Sequence, residues 1–188
     1  DTVAPESGHV VDAEDGEGGW YVSEATVTLT GTDDTSGLAD IMYRVDGGDW
    51  TLYSGAFVID EDGSHTVEYY ALDEAGNAEQ ANSFDVDIDA TAPEAEASVS
   101  GVNVTLSATD PASGVDAIMY RIDGGAWQTY TGMFAVTGTV GNHTVEFYAV
   151  DEAGNVGDTE SVVVAVPPVD DDEDGDDDDG GGISAMVI

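Results

Sequence analysis

The chain has 188 residues, enough for one large domain or two small ones, and a formal charge of −39 from 41 acids against two basic residues. A field of that sign repels nucleic acid and anionic membrane surfaces, so neither is expected as a partner. There is no cysteine to support disulfides or thiol chemistry, and no apolar run nears the roughly 20 residues that span a bilayer. No signal peptide is visible, as in a secreted protein already processed. High salt, which shortens the screening length, or bound divalent cations would make such acidity tolerable, and the composition leaves both open.

In chain order, "SGHVVDA" (residues 7–13) reads as a weak first strand and runs into an acidic, glycine-rich insertion, "DAEDGEGGWYVS" (12–23). "ATVTLTG" (25–31) alternates, placing Val27 and Leu29 on one face. After the loop "TDDTSG" comes "IMYRV" (41–45), with Ile41, Tyr43 and Val45 inward and Met42 and Arg44 outward. The Gly-Gly pair after Asp46 signals a hairpin. "HTVEYYALDEAGN" (65–77) is a strand ending in a loop, and "FDVDID" (84–89) sets Phe84, Val86 and Ile88 against aspartates. Nothing of comparable length has a helical period.

The same elements then repeat. "SGLADIMYRVDGGDWTLYSGAF" (36–57) recurs as "SGVDAIMYRIDGGAWQTYTGMF" (113–134), and "HTVEYYALDEAGN" as "HTVEFYAVDEAGN" (143–155). "DTVAP" (1–5) is matched by "DATAP" (89–93). The copies are therefore 1–88 and 89–167. Seven short strands in about 80 residues describe an antiparallel sandwich of immunoglobulin type. The expected fold is all-β: two tandem immunoglobulin-like sandwiches, an acidic and glycine-rich linker over 168–182, and a short apolar strand over 183–188.

The pattern from "GWYVSEATVTLTGTDDTSG" through "IMYRVDGGDW" to "HTVEYYALDEAGN" resembles the Ig-like repeat of prokaryotic surface proteins, the outer-membrane-protein-L type β-barrel repeat, across most of 1–167. Copy two lacks the Trp-Tyr segment. The resemblance implies large secreted proteins of bacteria or archaea, in which such repeats act as spacers, adhesion modules or wall-associated domains. It implies no enzyme core.

Catalysis is not expected. His65 and His143 occupy equivalent repeat positions, as structural residues would, and no nucleophile stands beside a histidine in one copy alone. The acids point instead to Ca²⁺. In this topology the start of the first strand and two loops converge at one end of each sandwich. Asp33, Asp73 and Asn77 meet there in copy one, and Asp89, Asp110, Asp151 and Asn155 in copy two. At the opposite end of copy one, Asp12 and Asp15 with Asp60 and Asp62 face the domain junction, as in cadherin-like calcium linkers. The alternative is that these are turn residues capping their own backbone on a salt-adapted surface.

Cross-strand ion pairs Arg44–Glu68 and Arg121–Glu146 are expected on the outward face. Trp50 and Trp127, with Tyr43 and Tyr120, repeat in register and read as core, whereas Trp20 and Tyr21 occur once and are candidates for a partner surface. Asn103 and Asn142 open glycosylation sequons, the first outward on a strand and the second in a turn.

Nine of the ten residues over 170–179 are acidic, followed by three glycines and "ISAMVI". Six residues cannot cross a bilayer core about 30 Å thick, so Ile183, Ala185, Met186, Val187 and Ile188 read as a strand that pairs with a neighbouring subunit, or as the stub of an anchor. The expectation is an extracellular, secreted structural protein of the cell surface, a filament, sheath or lattice subunit that polymerises head to tail with itself. An adhesion or carbohydrate-binding spacer that meets other surface proteins or glycans, and an accessory domain of a secreted enzyme, are the alternatives.

Overall fold

The computed structural model describes residues 1–168; the acid tract and the 183–188 segment lie outside the described residues. Copy one contributes β1 (Glu6–Asp12), β2 (Ala25–Thr32), β3 (Leu38–Val45), β4 (Thr51–Leu52), β5 (Phe57–Ile59), β6 (Gly63–Asp73) and β7 (Asn82–Ile88). They form two sheets, ordered β1-β2-β5 and β4-β3-β6-β7. Copy two repeats this with β8 (Glu94–Ser100), β9 (Asn103–Thr109), β10 (Val115–Ile122), β11 (Gln128–Thr129), β12 (Phe134–Ala135), β13 (Gly141–Asp151) and β14 (Glu160–Val166). Its sheets are β8-β9-β12 and β11-β10-β13-β14, and every ladder in both copies is antiparallel. The chain is thus two tandem immunoglobulin-like sandwiches. No helix among the described residues is long and apolar enough to cross a membrane.

The period-2 alternation explains each core. Val27, Val67, Val86 and Ile88 close together from three strands of copy one, with Ile41, Ile59 and Tyr69 completing the layer. Val104, Val145, Val164 and Phe147 do the same in copy two. The hairpin after β3 turns through Asp46 and Gly47, at φ 51° and 69°, with Gly48 N donating to Val45 O at 3.0 Å. Both central residues are left-handed, as a tight hairpin requires. Asp46 tolerates this because its carboxylate accepts from Thr66 N at 2.9 Å and holds His65 Nδ1 at 2.9 Å. Asp123, at φ 50°, repeats the arrangement with Thr144 and His143.

On the outer sheet face the register sets Arg44 opposite Glu68 and Arg121 opposite Glu146. Arg121 donates from Nε and Nη2 to both oxygens of Glu146, at 2.8 and 3.0 Å. Arg44 donates from Nη2 at 2.8 Å, and its Nε lies 2.7 Å from Glu68 Oε2 but out of line for a hydrogen bond. Each guanidinium also covers a tryptophan ring, Trp50 or Trp127, at 4.6 Å from the centroid. These tryptophans therefore pack on the outer face, edge-on to Tyr70 and Tyr148, and not in the core as their repetition suggested. Tyr43 and Tyr120 do face inward. Asn103 opens β9, and Asn142 is the exposed second residue of β13 rather than part of a turn.

The histidines divide by their contacts. His65 Nδ1 meets Asp46 Oδ2 and its Nε2 meets Glu61 O, both at 2.9 Å; His143 meets Asp123 Oδ2 at 2.6 Å and Thr139 O at 2.8 Å. Carboxylate and carbonyl oxygens only accept, so both ring nitrogens must carry protons. The bond to Asp46 accordingly raises the pKa of His65, and the Thr139 carbonyl, then Asp123, raise that of His143. His9 is the opposite case. It stacks on Phe84 at 3.7 Å, and burial lowers its pKa.

A raised folded pKa contributes stability that is complete below the unfolded value of about 6.5 and vanishes as pH rises through the folded value. Copy two contains His143 alone, so its unfolding midpoint in urea is expected to decline as pH rises above about 6.5, and His143→Gln to flatten that slope. Copy one should respond less, because His9 costs stability as pH falls below about 6.5 while His65 supplies it. A copy-two midpoint that rises with pH would contradict the protonated His143.

Candidate metal centre

Three loops place carboxylates at one end of each sandwich. Asp89 leaves β7 and opens copy two, Asp110 follows β9, and Asp151 ends β13. One carboxylate oxygen from each lies within 4.8 Å of the others, and Asp1, Asp33 and Asp73 form the same triangle in copy one. Asp89 and Asp151 are buried, at 0% and 1% exposure, and Asp73 at 3%. Asp1 was not foreseen as a member, although its match to Asp89 in "DTVAP" and "DATAP" carried the signal.

The loops wrap one oxygen of each central aspartate and leave the other. Asp110 Oδ1 accepts from Ala112 N at 3.1 Å and Gly114 N at 2.9 Å; Asp33 Oδ1 accepts from Thr35, Ser36 and Gly37 N at 3.1, 2.8 and 2.8 Å. Those amides, Gly37 first, hold Asp33 below the usual carboxylate range. Burial pushes Asp73 upward, but hydrogen bonds from Asn77, Ser36 and the Ala75 backbone together outweigh it and leave the pKa lowered. Asp110 Oδ2 is buried and has no hydrogen-bond donor. Asp89 accepts from Thr91 N at 3.2 Å and Ser113 N at 3.0 Å.

Asn77 and Asn155 reach the clusters as braces. Asn155 Nδ2 donates to Asp151 Oδ2 and to Asp89 O, both at 2.8 Å, and Asn77 Nδ2 donates to Asp73 Oδ2 at 2.7 Å. Their amide nitrogens donate to the carboxylates, so both asparagines brace the aspartates of the cluster.

Asp12, Asp15, Asp60 and Asp62 form no group of three among the described residues. Asp62 is engaged at the junction instead: its Oδ1 accepts from Ala90 N at 2.9 Å, and its Oδ2 accepts from the Thr91 hydroxyl. Asp15 sits in an antiparallel bridge with Tyr21. Tyr21 in turn is pinned to the end of β7, donating from N to Asp87 O and accepting from Asp89 N, both at 2.8 Å, with its side chain against the copy-one core. The insertion then crosses to copy two, where Glu17 N donates to Ala153 O at 2.8 Å. A Cβ on Gly16 would stand 2.6 Å from that same oxygen, so only glycine permits the approach. Asp89 therefore joins the insertion through its backbone and the cluster through its side chain.

Three ionised carboxylates at this spacing repel by about 3.5 kcal/mol per pair at an effective dielectric near 20. Arg44 and Arg121 are the only Lys or Arg residues in the chain, and both are committed to Glu68 and Glu146. Hard oxygens from three segments, one of them an orphaned buried oxygen, fit a calcium ion, which takes six to eight oxygens at flexible geometry.

A family model described as a bacterial Ig-like domain matches residues 126–166, within copy two. A search of curated proteins finds no match to the sequence. Solved structures similar to this chain include fibronectin(III)-like modules of Clostridium thermocellum CbhA, at 13% identity over 85% of this chain and 94% of that one, with a TM-score of 0.38. A two-domain fibronectin type-III segment of chicken tenascin is 13% identical over 86% and 100%, with a TM-score of 0.41. The D00-D0 domain of intimin is 12% identical over 84% and 100%, with a TM-score of 0.43.

Proposed function

We propose that this chain is a non-catalytic structural module of a cell-surface assembly, in which calcium stiffens two tandem sandwiches. The observation that carries the reading is the triangle of Asp89, Asp110 and Asp151. It sits where copy one passes into copy two, and a cation there would tie the linker to both loops of the second sandwich. Both copies follow one repeat type, and the reading extends to the outer-membrane-protein-L type repeat of secreted prokaryotic proteins. The three histidines are held in structural contacts, which supports a role without catalysis.

Within such an assembly the chain acts as a filament, sheath or lattice subunit, its partner a further copy of itself joined through 183–188. Glycans at Asn103 and Asn142 are compatible with their positions at strand starts on the outer surface. Electron microscopy of the full chain in millimolar calcium tests the polymer. Ordered polymers are expected, and they should disperse in EDTA at low ionic strength, because subunits carrying −39 each require cations at their contacts. Dispersed monomers that bind on a glycan array would favour the adhesion reading, and polymers that persist in EDTA would contradict the cation requirement.

A further inference from the structure

The two sandwiches differ at one edge. β7 and β14 occupy equivalent places at the end of their sheets, paired to β6 and β13; β14 has no further partner strand among the described residues, while Tyr21 of the insertion also bridges the end of β7 at Ile88. The outward positions of β7 are Ser83, Asp85 and Asp87; those of β14 are Ser161, Val163 and Ala165. In copy one Asp85 accepts from Thr66 Oγ1 at 2.9 Å. In copy two Thr144 faces Val163 across the same register, and Val163 is 58% exposed. Charges along an edge strand keep other strands from adding to it. Copy one has them, and copy two has exchanged both for apolar side chains in a chain with 41 acids.

The other long edges carry acids: β8 has Glu94 and Glu96 outward, and β1 has Glu6 and Asp12 at its two ends with the exposed Val10 between them. Residues 161–166 of β14 have no charge at all. Outside the described residues, 180–188 form the uncharged run, with "ISAMVI" as its apolar part. Any strand added to β14 must bring its own surroundings into a field of −39, so an uncharged partner for an uncharged edge is the pairing that avoids repulsion.

We propose that the outer edge of β14 over 161–166 receives residues 183–188 of a second copy as an added strand. This rests on the polymer reading above and names its acceptor. Backbone bonds extend the β11-β10-β13-β14 sheet, and one face of the added strand lies beside Val163 on the outer surface. The 16 residues over 167–182 reach at most about 54 Å, farther than the roughly 36 Å of an 11-residue strand. That reach covers an edge on a neighbouring copy as well as the chain's own, and the polymer reading selects the neighbour.

The test uses the full chain in calcium, with association followed by analytical ultracentrifugation. Val163→Asp combined with Ala165→Asp restores the side chains that copy one carries at these positions, so folding should survive, as a thermal melt will verify. Both this variant and deletion of 183–188 are expected to lose association. Ser98→Asp with Ser100→Asp, which adds the same charge on β8, is expected to keep it. If the deletion abolishes association but the β14 variant does not, the acceptor lies elsewhere and this proposal falls while the polymer reading stands. Equal loss from the β8 control would reduce the effect to net charge and overturn the proposal. Loss in the β14 variant without loss on deletion would make β14 pair with another edge. A wild-type chain that stays monomeric ends both readings, and amide protection of 161–166 that the deletion removes would then show the strand on its own domain.

Discussion

Chelating divalent cations at moderate salt is expected to lower the melting temperature of this protein by about 10–20 °C. Extracellular calcium modules have dissociation constants near 10⁻⁴ M. At about 100 times that concentration, binding stabilises the folded state by roughly 2.7 kcal/mol, and each kcal/mol shifts a domain of 60–100 residues by about 4–8 °C. Asp110→Asn, which places an amide where Oδ2 has no donor, separates this from a general effect of charge. In calcium the variant loses a ligand, and copy two should melt earlier than wild type. In EGTA it removes one of three mutually repelling carboxylates, and copy two should melt later. That reversal of sign needs a cation at the cluster. An unchanged melting temperature in EGTA would exclude calcium and leave salt adaptation as the reason for the acidity. Calorimetry resolving the two sandwiches is the suitable measurement, since Asp1, Asp33 and Asp73 should keep their response in the variant.

Phe147→Ala is expected to cost copy two about 3–5 kcal/mol, the largest single-site effect predicted for this chain. Phe147 is 3% exposed in the core with Val104, Val145 and Val164, and its removal leaves a cavity that strands on two sheets cannot close. Its counterpart in copy one is Tyr69, whose hydroxyl lies 2.9 Å from His9 Nδ1. Tyr69→Phe deletes only that bond and should cost about 1 kcal/mol. Urea titrations of both variants also report on the junction. If Phe147→Ala destabilises copy two alone, the contact between Glu17 and Ala153 does not couple unfolding of the two sandwiches. If both transitions move together, the chain unfolds as one unit and a cooperative junction is established.

The clusters were legible because their members recur. Asp33 and Asp110, like Asp73 and Asp151, stand at fixed places in repeated loops, and the topology implied by strand periodicity brings those loops to one end. The braces were not legible. Asn77 and Asn155 have oxygens as suitable as any aspartate's, and only the placement of Asp89 O beside Asn155 Nδ2 makes that amide a donor. Asp62 shows the same limit, since its carboxylate looked free until the fold set Ala90 and Thr91 against it.

By itself the sequence determined what depends on period and repetition: the two copies, the order of their strands, the inward set of Val27, Val67 and Val86, and the opposition of Arg44 to Glu68. These follow from the pleat, in which neighbouring side chains alternate faces whatever lies beyond them. The tertiary structure alone decided the rest. It put Trp50 on the outer face under an arginine, where the guanidinium and the neighbouring Tyr70 cover the ring and leave it half-buried. It joined Glu17 to Ala153 across the junction, and within the unbroken apolar run of β14 it set Val163 on the exposed outer face and Val164 in the core. Those outcomes depend on which surfaces meet when sheets stack and domains abut, and no local periodicity encodes such meetings.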